Sequence, residues 1–253
     1  MNLNSKNFLI TGGTGSFGTT LCNYLLKKNV KSIRIFSRDE NKQYQMRRKI
    51  QDSRVQFCIG NVRDFNSVLD SCDGINYIFH AAALKQVPSC EFYPIEAVKT
   101  NIIGTENLLK ASILRGIEKV VLLSTDKAVY PNNIMGMTKR LCEMYIKHVS
   151  KKKENTFSIV RFGNVVGSSG SVIPLFIDQI KKGGPLTVTD PEVTRYFMTI
   201  PDAVSLIINA TFISNGGEVF VLDMGKPIKI VDIANQLKKL AYSISNGNFE
   251  KED

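Results

Sequence analysis

The chain has 253 residues, and its 33 Lys and Arg against 23 Asp and Glu give it a formal net charge of +10. Hydrophobic residues make up 43% and charged residues 22%, which excludes a disordered chain and predicts a globular protein with a buried core. No apolar run approaches the roughly 20 residues that cross a bilayer, and the polar residues before Phe8 do not form a secretory signal, so we expect a cytoplasmic protein without a membrane span.

Neither the cysteines nor the positive charge identifies a metal or a nucleic acid as a partner. The five cysteines are scattered without a C-x-x-C pair and there are only two histidines, so we expect no disulfide framework and no metal site. The charge is compatible with nucleic acid, anionic lipid or a phosphorylated small molecule. The densest basic run, residues 151–153, falls at the end of a predicted helix, where cations suit the helix dipole. We therefore predict no nucleic-acid binding.

Short apolar runs alternate with longer segments of helical periodicity along the first 165 residues. The predicted strands are Asn7–Thr11, Ser32–Phe36, Val55–Ile59, Ile75–His80, Lys119–Ser124 and Phe157–Phe162. The predicted helices are Phe17–Lys28, Asn41–Gln51, Asn66–Ser71, Ile95–Arg115 and Gly136–Lys152. Strands that are apolar along their whole length are typical of a sheet covered on both faces. The alternation therefore predicts an α/β fold with a doubly wound parallel sheet.

The sequence divides into three parts. Residues 1–165 carry the regular alternation and form the predicted main domain. From residue 166 to residue 240, Gly and Pro cluster and the elements become short, which predicts a small C-terminal lobe interleaved with the main sheet. Residues 241–253 are polar and are predicted to form a disordered tail.

The first strand leads into a glycine-rich turn directly before a predicted helix. Gly12, Gly15 and Gly18 form a G-x-x-G-x-x-G pattern, and such a turn lets the backbone approach a pyrophosphate at the start of the helix. An ordinary glycine turn is the alternative, but the strand before it and the helix after it favour a dinucleotide site. The loop residues predicted to contact the cofactor are Gly12, Thr14, Gly15, Ser16, Phe17 and Gly18.

The end of the second strand predicts which dinucleotide binds. Ser37 and Arg38 are two donors suited to a 2′-phosphate, so NADP is predicted. Asp39 keeps NAD as the alternative, because an acidic residue near this strand end binds the ribose hydroxyls of NAD. Further residues predicted at the cofactor follow the third and fourth strands and are Asn61, Val62, Ala81 and Ala82.

Longer stretches of the sequence are similar to a known family. The glycine loop Thr11–Gly18, the segment His80–Pro88 and the segment Ser124–Pro131 resemble the extended short-chain dehydrogenase/reductase superfamily. More narrowly, they resemble the inverting UDP-N-acetylglucosamine 4,6-dehydratases of bacterial surface-polysaccharide biosynthesis. The resemblance continues in Met135–Lys139, Arg161–Val165, Gly170–Phe176, Thr189–Pro191 and Thr194–Thr199.

The resemblance implies a Rossmann fold with NADP as cofactor and a UDP-sugar as substrate. The implied reaction removes hydride from C4 of the sugar, eliminates water across C5 and C6, and returns the hydride to C6. Lys127 is implied as the base at C5 and Asp126 as the acid at the C6 hydroxyl. Thr125 is implied at the C4 hydroxyl and Lys139 at the nicotinamide ribose. The residues implied at the sugar nucleotide are Lys85, Arg161, Asn164, Ser171 and Arg195.

The acceptor of the C4 hydroxyl proton stays open at this point. Met135 stands where the superfamily has the tyrosine of its Tyr-x-x-x-Lys pair, and a thioether cannot exchange a proton. The candidates are Lys127, Lys139 through a water, and Tyr130. Alternatively, Tyr130 packs beside Pro131.

Lys127 and Asp126 have opposite requirements. Lys127 must be neutral to act as a base, and Asp126 must be protonated to act as an acid. A direct ion pair opposes both states, so we expect the two side chains to lie apart. A structural Asp–Lys pair at a strand end is the alternative.

Two other functions fit parts of this sequence. A nucleotide-sugar 4-epimerase shares the fold and the first hydride step but relies on the tyrosine that Met135 replaces. A non-catalytic NADP-binding protein is the alternative from a different class. For assembly, the helices Ile95–Arg115 and Gly136–Lys152 carry apolar residues that a second subunit would cover, so we predict a homo-oligomer.

Overall fold

Parallel strands build the centre of the protein. The computed structural model describes residues 3–151, 155–168 and 170–249. Its strands are β1 (Asn7–Thr11), β2 (Ser32–Ser37), β3 (Val55–Ile59), β4 (Tyr77–His80), β5 (Lys119–Thr125), β6 (Thr156–Phe162), β7 (Asn164–Val165), β8 (Thr194–Arg195), β9 (Phe197–Met198), β10 (Val219–Val221) and β11 (Ile228–Lys229). Seven of them form one sheet in the order β10-β6-β5-β4-β1-β2-β3, with every neighbouring pair parallel. The predicted doubly wound parallel sheet is confirmed.

Helices connect these strands. The α-helices are α1 (Ser16–Leu26), α2 (Glu40–Lys49), α3 (Phe65–Ser71), α4 (Val87–Phe92), α5 (Pro94–Ala97), α6 (Gly104–Leu114), α7 (Ile134–Ser150), α8 (Val172–Lys181), α9 (Ile200–Ile213) and α10 (Ile230–Phe249). A π-helical turn, Val98–Ile103, joins α5 to α6, and a 3₁₀ turn, Asp126–Ala128, follows β5. The helix predicted over Ile95–Arg115 is therefore interrupted by a wider turn, and α4 is an addition to the predicted helices.

The central strands are continuously apolar in sequence because their residues are buried on both faces of the sheet. Phe8, Leu9 and Ile10 of β1 are fully buried, and every residue of β4 is buried. Because β5, β4 and β1 are neighbours in the sheet, their carboxyl ends lie side by side at one edge. Open parallel α/β sheets bind ligands at this edge, where the strand order reverses.

The chain forms two compact units. The first comprises Met1–Phe162 and Pro201–Leu222, and the second comprises Gly163–Ile200 and Asp223–Asp253. Within the first unit, buried Lys119 of β5 donates from Nζ to the carbonyl oxygens of Thr211 (2.8 Å) and Ser214 (2.9 Å), at the end of α9. The lobe predicted over residues 166–240 thus includes a segment, α9 with β10, that belongs to the first unit.

The second unit has its own small core. Phe176 of α8 packs with Ile230 and Ala234 of α10. The short strands β7 and β9 pair in parallel, and β8 and β11 pair in antiparallel. A disordered tail from residue 241 is wrong for residues 241–249, which continue α10. Leu237, Leu240 and Ile244 recur at helical spacing and extend the pattern past residue 240, while residues 250–253 lie outside the described residues.

Candidate active site

The glycine turn after β1 forms a cradle against the loop after β4. Gly12 has a φ of +66°, and a Cβ added there would lie 2.8 Å from the backbone nitrogen of Ala82 and 2.9 Å from the carbonyl carbon of Ala81. The structure therefore brings three predicted cofactor residues together. Any side chain at Gly12 would clash with the backbone of the loop after β4, so this close approach of the two loops requires glycine.

Helix α1 begins directly behind this turn. Its N-cap residue, Gly15, provides no side-chain cap, and its first turn contains no acidic residue, so the helix start suits an anion. A Cβ on Gly18 would lie 2.5 Å from Gly13 Cα, which shows how closely α1 packs on the turn. The Phe17 ring stacks on Phe162 at 6.3 Å. These features fit the pyrophosphate of a dinucleotide.

The end of β2 presents one buried and one exposed predicted residue. The Ser37 hydroxyl accepts a hydrogen bond from Gln43 Nε2 (3.1 Å), and Arg38 is exposed. Asp39 is the N-cap of α2 and accepts from the backbone N–H of Lys42 (2.9 Å). This backbone hydrogen bond and the Lys42 ammonium lower the pKa of Asp39. The Asp39 carboxylate, on which the alternative of NAD binding rests, therefore caps α2.

The loop after β3 is fixed by α6. Asn107 Nδ2 donates to the Val62 carbonyl (3.0 Å), and a Cβ on Gly104 would lie 2.7 Å from Val62 Cγ2. Asn61 accepts a hydrogen bond from the backbone N–H of Arg63 (3.1 Å). The predicted adenine-side residues therefore lie on a loop that α6 holds tightly.

His80 links the ends of β1 and β4 to α6. Its Nδ1 lies 2.7 Å from Thr11 Oγ1, and its Nε2 lies 3.1 Å from Thr105 Oγ1. The Thr105 hydroxyl donates to the Asn101 carbonyl (2.6 Å), so it can only accept from His80, and Nε2 carries the proton. Burial, together with the nearby Lys139 ammonium, lowers the pKa of His80 to about 3.

Asn101, in the π-helical turn, is a site residue that the sequence analysis does not identify. Its side chain accepts from the Leu84 backbone N–H (2.8 Å) and donates to the Leu84 carbonyl (3.0 Å) and to Thr138 Oγ1 (2.9 Å). The loop carrying Lys85 is thereby tied to α7. Asn101 and Thr105 lie four apart and share one helix face, but the surrounding segment contains other polar residues, so the sequence carries no distinct signal for Asn101.

Helix α7 contributes a lysine and a glutamate to the end of β5. Lys139 Nζ donates to the Leu123 carbonyl (2.9 Å), and burial lowers the pKa of this lysine. One turn later, Glu143 accepts from the Ser124 hydroxyl (2.6 Å) and from Arg161 Nε (2.8 Å) and Nη2 (2.5 Å). Burial alone would raise the pKa of Glu143, but the hydrogen bonds from Arg161 and Ser124 outweigh it and lower that pKa. Glu143 is a second residue that the sequence analysis misses.

Three of the residues predicted to be catalytic, Thr125, Asp126 and Lys127, meet at the end of β5 and in the 3₁₀ turn that follows it. Lys127 Nζ lies 3.0 Å from Asp126 Oδ1, and the Thr125 hydroxyl donates to the same oxygen (2.8 Å). The expectation that Asp126 and Lys127 lie apart is therefore wrong. Both side chains are about one-quarter exposed, at 25% and 26%, and opposite charges on adjacent residues of a tight turn pair readily in such a partly solvated place.

Met135 is part of the protein core. It is 4% exposed and packs with Cys90 and Ala97 where α4, α5 and α7 meet. Tyr130, by contrast, is 96% exposed, so the alternative in which it packs beside Pro131 is wrong.

The predicted substrate residues are divided between the two units. In the first unit, Lys85 has its pKa lowered by desolvation, and Arg161 is paired with Glu143. In the second unit, Asn164 donates its backbone N–H to the Tyr196 carbonyl (2.9 Å), and Arg195 Nη1 donates to the Thr194 carbonyl (2.8 Å). Ser171 precedes α8, and its buried hydroxyl has no hydrogen-bond partner among the described residues.

The strand order, the glycine turn and the polar groups gathered at the ends of β1, β4 and β5 define an extended short-chain dehydrogenase/reductase. The chain belongs to the family described as polysaccharide biosynthesis protein, whose model matches residues 8–252. Within the described residues, no helix is both long and apolar enough to span a membrane.

Relatives of known name are similar over most of the chain. UDP-glucose 4-epimerases of Rickettsia bellii (strain RML369-C) and Rickettsia prowazekii (strain Madrid E) are each 49% identical over 223 residues. The match covers 85% of this chain and 65% of each relative. The chain thus spans less than two thirds of the length of these relatives.

Solved structures share the fold. Pen from Bacillus thuringiensis superposes with a TM-score of 0.94 at 40% identity, covering 96% of this chain and 76% of that chain. DesIV, a dTDP-glucose 4,6-dehydratase from Streptomyces venezuelae, superposes with a TM-score of 0.85 at 22% identity, covering 91% of this chain and 80% of that chain.

The buried imidazole of His80 makes the stability of the protein depend on pH. Because its pKa is about 3 in the folded protein and about 6.5 when unfolded, the unfolded state binds more protons below pH 6.5. We expect the free energy of unfolding to fall by about 2 kcal/mol between pH 7.5 and pH 5 through His80. Urea unfolding of wild type and His80→Gln at both pH values measures this difference.

The control for His80 is the exposed His148 on α7. His148→Gln should retain the pH dependence of the wild type, whereas His80→Gln should lose about 2 kcal/mol of it. Parallel pH dependences for wild type and His80→Gln would contradict the assignment.

Proposed function

We propose that the protein is an NADP-dependent enzyme that converts UDP-N-acetylglucosamine by 4,6-dehydration. The observation that carries this proposal is the hydrogen-bonded set of Thr125, Asp126 and Lys127 at the end of β5, beside Lys139. An acid and a base within one turn are what an elimination requires. The 49% identity to UDP-glucose 4-epimerases supports a UDP-hexose as substrate and C4 as the first reacting position.

A dinucleotide held by the glycine turn after β1 and by Lys139 would supply the hydride acceptor for C4 and the hydride donor for C6. The chain then has to remove the C5 proton and protonate the departing C6 hydroxyl. Lys127 takes the C5 proton, Asp126 gives a proton to the hydroxyl, and the 3.0 Å bond between them connects the two roles. The C4 hydroxyl releases its proton to water, and the Asp126 carboxylate left by the elimination takes one proton back from water. Lys127 releases the C5 proton to water, and C5 is protonated again from solvent, so that protons balance over one turnover.

The ion pair found in the structure is one proton shift from the reactive state. Moving a proton from Lys127 Nζ to Asp126 Oδ1 converts ammonium and carboxylate into amine and carboxylic acid, with no net change in protons. Desolvation disfavours the charged forms of both groups. Substrate that displaces water from this turn therefore favours the neutral pair, which is the pair that the elimination uses.

NADP is proposed over NAD because of the end of β2. Arg38 is exposed and carries a guanidinium that suits a 2′-phosphate, whereas Asp39 caps α2. Arg38→Ala should weaken NADP binding by about tenfold or more and leave NAD binding nearly unchanged. Dissociation constants for both dinucleotides measure this, with Arg48→Ala on exposed α2 as a control of equal charge change. Equal affinity of the wild type for NADP and NAD would refute the preference.

A 4-epimerase is the second candidate, and the names of the Rickettsia relatives favour it. The buried Met135 argues against it, because no tyrosine stands at that position to exchange the C4 proton. The two reactions differ in mass. Incubation with UDP-N-acetylglucosamine and NADP followed by mass spectrometry should show loss of one water, whereas an epimer keeps the mass of the substrate.

Lys127 tests the elimination. Lys127→Ala should slow water loss by about 10²–10⁴-fold and leave NADP affinity nearly intact, because Lys127 serves the sugar. The measurements are the rate of water loss and the rate of solvent deuterium incorporation at C5. Lys182→Ala, which removes a lysine from an exposed ion pair with Asp178, is the control and should behave as wild type. A Lys127→Ala variant as fast as wild type would remove Lys127 from the mechanism.

We also propose that the protein is a homo-oligomer that covers α7. Met137, Leu141 and Met144 are 48%, 47% and 56% exposed and share one face of this helix. Light scattering at micromolar concentration should give a multiple of 28.2 kDa for the wild type and a reduced mass for Leu141→Lys. Leu240→Lys, at an exposed leucine of α10, is the matched control. A monomeric wild type would refute the proposal.

A further inference from the structure

Tyr130 combines a strained backbone with an exposed aromatic ring. Its φ is +48°, in the left-handed region that favours glycine and asparagine. Its side chain is 96% exposed, more than any other large hydrophobic side chain in the described part of the chain. The left-handed backbone of Tyr130 destabilises the folded protein, and packing of the exposed ring does not offset this free energy.

The strain is imposed by firm contacts on both sides of Tyr130. Before it, the Val129 N–H donates to the Asp126 carbonyl (3.0 Å) and closes the 3₁₀ turn. After it, Asn133 caps α7 by accepting from the Gly136 N–H (2.8 Å). Gly136 lies directly against the Lys127 carbonyl, where an added Cβ would clash. The segment between Lys127 and α7 thus has little freedom to relax, and Tyr130 is held where it is.

This placement puts Tyr130 in the loop that directly follows the turn carrying the candidate acid and base. Only two residues separate Tyr130 from Lys127. A Cβ added to Gly136 would lie 3.2 Å from Pro131 Cβ, so Pro131, which follows Tyr130, also lies near Gly136. An aromatic ring buries a large apolar area when it gains a partner, and ligand sites use such rings together with a few polar groups. A strained residue beside a candidate site is a reason to look for a functional contact.

We infer that the Tyr130 ring packs against the hexose of the nucleotide sugar while Asp126 and Lys127 act on it. This inference rests on the proposed function and adds a residue that binds the substrate. The contact is made by the ring face, so the phenol hydroxyl is not required and Tyr130 is not the acceptor of the C4 proton.

Two substitutions at Tyr130 separate strain from binding. Tyr130→Asn relieves the backbone strain, because asparagine tolerates the left-handed conformation, so the Tm should rise by about 2–4 °C. The same substitution removes the ring, so the dissociation constant for UDP-N-acetylglucosamine should increase about three- to tenfold. This constant is measured calorimetrically with NADP present. Tyr130→Phe keeps the ring and should bind within about twofold of wild type.

Ser5 provides the matched control, because it is the other non-glycine residue with a positive φ (+60°) in the described chain and lies before β1. Ser5→Asn should raise Tm by a similar amount without changing the dissociation constant. Light scattering of each variant checks that Tyr130 is not a contact between copies, and a reduced mass for Tyr130→Asn would overturn the inference.

The remaining outcomes are distinct. Equal binding by wild type and Tyr130→Asn overturns this inference and leaves the proposed function standing. Equal weakening in Tyr130→Asn and Tyr130→Phe makes the hydroxyl the contact and also overturns it. No binding by the wild type overturns the proposed function and this inference together.

Discussion

The buried ion pair between Glu143 and Arg161 fixes the edge of the sheet on which the candidate site is built. Glu143 has a 1% exposed side chain, and a buried carboxylate without its partner is strongly destabilising. Helix α7 therefore cannot shift along β5 and β6 without breaking bonds to both Arg161 and the Ser124 hydroxyl. Since Ser124 directly precedes Thr125, the same pair sets the start of the turn that carries Asp126 and Lys127. Arg161 therefore supports this turn through Glu143, and its contact with substrate stays a prediction.

A second constraint acts from the π-helical turn. A wider turn leaves some backbone groups without their helical partners, and here the Asn101 carbonyl accepts from Thr105 Oγ1 (2.6 Å) and Cys142 Sγ (3.0 Å). The Asn101 side chain is at the same time bonded to Leu84 and Thr138. One residue thus joins the loop after β4 to α7, and the two sides of the candidate site are held by a shared polar core.

The sheet and the glycine turn could be predicted from the sequence because both depend on local sequence patterns. Strands covered on both faces are continuously apolar, and a backbone approach closer than a Cβ allows requires glycine, as at Gly12. The supporting network could not be predicted in this way, because its partners are far apart in the chain: Thr11 pairs with His80, and Glu143 with Arg161. The pairing of Asp126 with Lys127 was missed for another reason. The roles implied for Asp126 and Lys127 require the neutral forms, and the contact of the charged forms differs from these only in the position of one proton.

Electrostatics gives the two lysines of the site different tasks. Lys139 donates to the Leu123 carbonyl in a buried place that lowers its pKa, and its ammonium also lowers the pKa of His80. Because burial and the Lys139 ammonium both lower the pKa of His80, its imidazole is neutral and Nδ1 accepts from the Thr11 hydroxyl. A lysine fixed to a backbone carbonyl suits the orientation of a ribose hydroxyl. Lys127 lies at the partly exposed turn and is paired with the Asp126 carboxylate. Under the proposed function, proton transfer would therefore fall to Lys127 and cofactor orientation to Lys139.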